Sequence, residues 1–184
     1  MTDGPRPPFE PTARKDRRRL THVDRRGRPR MVDVSAKPAT PRRAIAEARV
    51  LMAHETLSLI IDGAGPKGDV MSVAEIAGVM AAKRTADLSP LSHPIPPPDR
   101  GGESTPDRGE GLLRIRTTAA TVGPTGVEME ALTAATIAAL TVYDMIKGID
   151  RYAEIVSVRL LEKSGGKSGE WRRPPDDAPA GPRP

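Results

Sequence analysis

The sequence predicts an α+β sandwich, one sheet covered on a single face by two long helices. Three observations carry this. Strand-like runs of period two are interspersed with two long helical segments, everything between the terminal tails fits in under 160 residues, and no internal repeat divides the chain. The 184 residues suffice for one domain with a real core but are short for two. Aromatic residues make up only 2%, so that core must be built from Ala, Val, Leu, Ile and Met.

Taken in order, the chain opens with a basic, proline-rich tail over residues 1–19. Arg6, Arg14, Lys15, Arg17, Arg18 and Arg19 face only Asp3, Glu10 and Asp16 there. Residues 172–184 are proline-rich in the same way. Such segments bury too little apolar surface to offset the entropy of ordering, so both tails are expected to be disordered around a domain spanning residues 20–171. Within it, Arg42–Met52 alternates loosely and fits either strand or helix. His54–Asp62 has helical spacing and runs into Gly63-Ala64-Gly65-Pro66, a stop. Ser72-Val73-Ala74-Glu75 has capping-box spacing and opens an alanine-rich helix reaching about Leu88. Leu112–Thr121 alternates as a strand, Gly126 to about Asp150 is the longest helical segment, and Ile155–Leu161 is a β-branched strand. The stretch from Ser89 to Gly111 holds Pro90, Pro94, Pro96, Pro97, Pro98 and Pro106, a density of missing N–H donors that no central strand tolerates. Residues 95–111 are therefore expected to form a long, mobile surface loop.

Several chemistries are excluded. There is no cysteine, which removes disulfides, thiolate metal sites and cysteine nucleophiles. His22, His54 and His93 are isolated, no HExxH occurs, and no GxSxG elbow supports a serine hydrolase. Gly165-Gly166-Lys167-Ser168 shares the end of a nucleotide-binding P-loop but lacks its first glycine, Leu161 standing there, and a proline tail follows instead of a helix. The formal charge of +5 sits largely in the tails, and aromatic stacking platforms are missing, so nucleic acid is not the expected partner. No uninterrupted apolar run of membrane-spanning length stands out and no signal-peptide core follows the basic start, which suggests a cytoplasmic protein without membrane attachment.

The long helix carries its polar residues unevenly. At about 100° per residue, Glu130, Thr133, Thr136, Thr141, Asp144 and Lys147 share one half, opposite Leu132, Ala135, Ala139, Val142 and Ile146. This fits an ordinary solvated face with Asp144 and Lys147 as an i,i+3 pair, and equally a covered helix whose few charges serve a cleft. Glu130 and Lys147 are 17 residues apart, roughly 25 Å, too far to share one small ligand unless different subunits contribute them. Lys67, in the turn Pro66-Lys67-Gly68-Asp69 before a helix N-terminus, is either a solvent-exposed turn lysine or an anion ligand. His93, at the mouth of the proline-rich stretch, is either structural or part of a site. Lys163 and Lys167 flank a glycine-rich turn able to close over a phosphate.

Certain blocks stand in family order. They are Leu20-Thr21-His22, Met31-Val32-Asp33-Val34-Ser35, Pro66-Lys67-Gly68-Asp69, Ala81-Ala82-Lys83-Arg84-Thr85, Leu91-Ser92-His93-Pro94, Gly126 to Thr133 (GVEMEALT), Tyr143-Asp144-Met145 with Lys147, and Lys163 to Gly169 (KSGGKSG). With them, residues 20–171 closely resemble the cyclic pyranopterin monophosphate synthase family, molybdenum cofactor biosynthesis protein C.

The resemblance implies a ferredoxin-like antiparallel sandwich and a homohexamer built as a trimer of dimers with its site at the dimer interface. It implies a lyase converting 3′,8-cyclo-7,8-dihydroguanosine 5′-triphosphate into cyclic pyranopterin monophosphate and pyrophosphate. No resident metal or redox cofactor is implied, although Mg²⁺ is compatible with a triphosphate substrate. By position, Asp144, Lys67 and Lys147 match the catalytic residues. Leu91, Ser92, His93, Met129, Glu130, Arg42, Lys163 and Lys167 correspond to substrate-binding positions. Ser92 stands where the family usually has cysteine, and the proline-rich 95–111 stretch replaces an expected strand. The second departure leaves an alternative, a catalytically impaired member that binds substrate or serves assembly.

Overall fold

The computed structural model describes Arg28, Met31, Val34 and residues 37–95 and 99–175. The expected tail over 1–19, the Leu20-Thr21-His22 block, most of the Met31–Ser35 block and residues 176–184 lie outside the described residues. Arg42–Met52, ambiguous by pattern, is strand β1 (Thr40–Leu51), whose Ala44, Ala46, Ala48 and Val50 are fully buried on one face. Helices α1 (His54–Ile61), α2 (Val70–Ala82) and the short α3 (Thr85–Leu88) follow. Strands β2 (Asp99–Asp107) and β3 (Leu112–Gly123), helix α4 (Glu128–Ile146), strand β4 (Glu154–Ser164) and the two-residue β5 (Trp171–Arg172) complete the order.

The five strands form one antiparallel sheet in the order β2-β3-β1-β4-β5, the split βαββαβ topology of ferredoxin-like folds with β5 added at one edge. The helix-facing sides of β1 and β3 meet Ala131, Ala135, Ala138, Ala139, Val142 and Ile146 of α4 in an almost purely aliphatic core. Small residues let the layers approach closely. Gly78 of α2 shows this, because a Cβ there would lie 3.1 Å from the Ala134 carbonyl oxygen and 3.5 Å from the Ala138 Cβ. By length and composition α4 could cross a membrane, but half of it is buried in this core, as expected of a central helix.

Three expectations need correction. Residues 95–111 are not a free loop, because Asp99–Asp107 pairs with β3 from Ala120 to Leu112. The prolines misled because β2 is an edge strand, where one side needs no partner and Pro106 can pair opposite Leu113. Helix α2 begins earlier than the capping box suggested. Asp69 is its N-cap, accepting from the Ser72 N–H at 3.1 Å. The last expected tail also starts late, since Arg172 belongs to β5 and Arg173 donates its backbone N–H to the Leu161 carbonyl at 2.7 Å.

The sheet face away from the helices holds a buried carboxylate. Glu47 is 1% exposed, yet it accepts from Arg49 at 2.9 Å, Arg116 at 3.1 Å and Arg159 at 3.0 Å. Burial alone would raise its pKa, but hydrogen bonds from the three guanidiniums lower it on balance.

Candidate active site

The first cluster grows from a turn. Between α1 and α2 the chain reverses at Gly65–Gly68, closed by the Gly68 N–H donating to the Gly65 carbonyl at 3.0 Å. Gly68 holds φ +94°, a conformation L side chains rarely adopt. A Cβ at Gly65 would lie 2.7 Å from both the Gly68 oxygen and a Val70 methyl. The turn therefore has one shape, and it presents Lys67 toward the C-terminal half of α4. There the Lys67 ammonium donates to Asp144 Oδ2 at 2.8 Å and to the Asp144 backbone oxygen at 3.0 Å. Lys147 Nζ meets Asp144 Oδ1 at 2.7 Å. All three side chains are about half exposed, so the cluster opens to solvent.

Two ammonium groups on one carboxylate have a predictable effect. Hydrogen bonds from Lys147 and then Lys67, with their charges, hold the Asp144 carboxyl down at about 2, and Asp144 in turn raises the Lys147 ammonium. At neutral pH Asp144 is a carboxylate whose fixed charge is suited to stabilise a cation. The lysines are the available proton donors and anion ligands.

The second cluster lies at the opposite end of α4. Arg42 leaves β1 and donates through Nε to the Gly123 carbonyl at 3.3 Å and through Nη2 to the Pro124 carbonyl at 3.2 Å. Gly165 and Gly166, with φ +99° and +70°, lie so close that a Cβ on either would overlap the Pro41 carbonyl or the Arg42 guanidinium. Lys163 donates to the Ser168 hydroxyl and lies 3.8 Å from Glu128 at the start of α4. A groove of about 520 Å³ results, with Lys37, Arg42 and Lys167 beside the hydroxyl-bearing Thr125 and Ser168. Cations, hydroxyls and a nearby helix N-terminus suit a polyanion.

The remaining positions sit toward that same end of α4. Lys67, just before α2, meets Asp144, whereas Gly78 meets Ala134 and Ala138, so α2 runs antiparallel to α4. Leu91–His93 follow α3 beyond the far end of α2, with Leu91 exposed, Ser92 and His93 half-buried, and Ile95 anchored on the core. Met129 is exposed. Glu130 follows the covered-helix alternative and not the solvated-face one. It is 3% exposed, beside a cavity of about 20 Å³ with room for about one water. The end of α2 and strands β2 and β3 cover it, because its direction on α4 lies next to the buried Ala134 row.

With this geometry in place, the comparisons are decisive. The family described as "MoaC family" matches residues 31–166. The chain belongs to the MoaC family. Cyclic pyranopterin monophosphate synthase of Chloroflexus aurantiacus (strain J-10-fl) is 54% identical over 155 residues, covering 84% of this chain and 95% of that protein. That of Brucella ovis is 54% identical over 153 residues, covering 83% and 93%. That of Thermomicrobium roseum is 52% identical over 159 residues, covering 86% and 96%.

In this MoaC family chain the structure brings Lys67, Asp144 and Lys147 together, and separately Arg42 and Lys167, with Lys163 reaching that groove only through Ser168. It does not bring the two groups together. From Glu128 to Lys147 the helix covers roughly 28 Å. Sequence reasoning missed Lys37, Thr40 and Thr125 as lining of the basic groove. No spacing rule could find them, because sheet register alone, Thr40 opposite Gly123 and Arg43 opposite Ser164, unites three distant segments.

Proposed function

We propose that this MoaC family chain is a lyase that converts 3′,8-cyclo-7,8-dihydroguanosine 5′-triphosphate into cyclic pyranopterin monophosphate with release of pyrophosphate. The observation that carries the reading is the Lys67–Asp144–Lys147 cluster, in a chain more than half identical to proteins named for that activity. Opening the purine ring and rebuilding it as a pterin requires proton transfers at carbon and nitrogen. Two ammonium groups beside an ionised carboxylate supply proton donors and a fixed negative charge within one hydrogen-bond length. Lys147, its proton held more tightly by Asp144, stays cationic and serves as an anion ligand. Arg42 and Lys167 in the groove, with Lys163 beside it on Ser168, take the phosphates, stabilising negative charge as pyrophosphate leaves. Leu91, Ser92, His93 and Met129 contact the substrate. Glu130, buried beside the small cavity in the single chain, is the remaining position assigned to substrate binding.

The reaction needs no redox cofactor. Mg²⁺ carried on the triphosphate is compatible with this reading. The two cation clusters lie at opposite ends of α4, a helix of roughly 28 Å, which supports a site completed across subunits, in a homohexamer of three dimers. The GTP-derived substrate supports a cytoplasmic location, without nucleic acid or membrane as partner. The impaired-member alternative loses its motive, because residues 99–107 form a sheet strand after all. Incubation with the cyclic triphosphate, followed by detection of pyranopterin and pyrophosphate, tests the activity. A chain that assembles yet releases neither product would refute it.

A further inference from the structure

The glycine-rich segment 164–169 carries Lys167 to the Arg42 groove, and a segment of six residues with three positive-φ glycines is costly to hold in one shape. What holds it lies beyond the residues matched to the family. The chain returns beside β4 as β5, with Lys163 opposite Trp171 and Glu162 opposite Arg172. Arg172 Nε meets Glu162 Oε1 at 3.1 Å. Arg173 fastens the end twice, through its backbone N–H to the Leu161 carbonyl and through Nε to the Leu160 carbonyl, both at 2.7 Å. Its guanidinium also lies 5.7 Å from the centre of the Trp171 ring, a cation–π distance. Inside the hairpin so formed, the Gly169 N–H donates to the Gly166 carbonyl at 3.2 Å and Lys163 donates to Ser168.

We propose that Trp171 and Arg173 are positioning residues for the phosphate-binding loop. By clamping β5 onto β4 they preorganise residues 164–169 with Lys167 over the groove. The inference rests on the reading of that groove as the triphosphate site. Neither residue touches substrate. Their effect is to remove the ordering cost that loop and lysine would otherwise meet on binding, about tenfold in affinity for one rotamer-rich side chain and its backbone.

The test uses the full chain, with inorganic tripolyphosphate as probe in calorimetry and amide exchange read across the loop. Arg173→Ala should weaken tripolyphosphate about tenfold and speed exchange at residues 165–169, with β4 amides at 155–158 unchanged. In turnover, KM should rise while kcat holds. Trp171→Ala should act in the same direction, and Trp171→Phe, which keeps a ring beneath the guanidinium, should restore most of the affinity. Lys167→Ala separates the two readings. If it binds tripolyphosphate normally, the groove is not the phosphate site and the positioning claim falls with it. If it binds weakly while Arg173→Ala binds like wild type with an unchanged loop, the groove stands and the clamp is refuted.

Discussion

Replacing Lys147 with methionine keeps most of the length of the side chain and removes the strongest influence on Asp144. In the wild-type chain that carboxyl is held at about 2 against an ordinary 3.8, by Lys147 first and Lys67 second. With Lys147 gone, Lys67 still donates to Oδ2 at 2.8 Å, so the Asp144 midpoint should rise above 2 and stay below 3.8. Carboxyl-carbon NMR of the assembled protein reads this directly. The acid limb of kcat/KM should move up in pH with it, and turnover should fall by at least about 10²-fold through loss of the cation. The stability sign is fixed by the depressed pKa. The ion pairs favour the folded chain above pH 3.8, and that contribution vanishes as pH falls through about 2. Because the groups are half exposed it is small, and melting at neutral pH should scarcely change. An Asp144 midpoint still at about 2 in Lys147→Met would refute the assignment of the shift, leaving Lys67 alone as its cause.

Three further outcomes follow from the same geometry. Asp144→Asn should lower turnover by roughly 10²–10⁴-fold in single-turnover assays, while circular dichroism and assembly stay as in wild type. Glu47→Gln strands three guanidiniums around a neutral amide and should cost about 2–3 kcal/mol in urea unfolding, a buried-pair loss reduced because the arginines reach solvent. Since the Glu47 pKa is lowered, wild type should lose stability as pH falls through and below 4.5, and the variant should lose less. Gly166→Ala places a methyl against the Arg42 guanidinium at φ +70°, and steady-state kinetics should show KM rising about tenfold with kcat little changed.

Much of the fold was legible because apolar spacing writes itself locally. The alternation in Leu112–Thr121 and the long α4 pattern needed no tertiary information. Strand β2 was not legible, since whether Pro106 is tolerable depends on lying at the sheet edge, a property of topology rather than of the segment. The site divides in the same way. The i,i+3 relation of Asp144 and Lys147 is readable from a helix, but the arrival of Lys67 on the same carboxylate depends on how α2 packs against α4. For Glu130 the pattern left both faces open, because it sits at the border of the polar arc, where neighbouring strands decide between solvent and core.

The most direct test of the account mixes two impaired variants, assayed at a substrate concentration far below the KM of either. Asp144→Asn damages the cluster at the C-terminal end of α4, and Lys167→Ala damages the basic groove at its other end. If each working site joins one cluster from each of two subunits, random pairing after subunit exchange leaves about a quarter of all sites intact. The account predicts that the mixture recovers about a quarter of wild-type turnover. Activity no greater than the sum of the two variants assayed alone, with exchange confirmed by mass spectrometry, would contradict it.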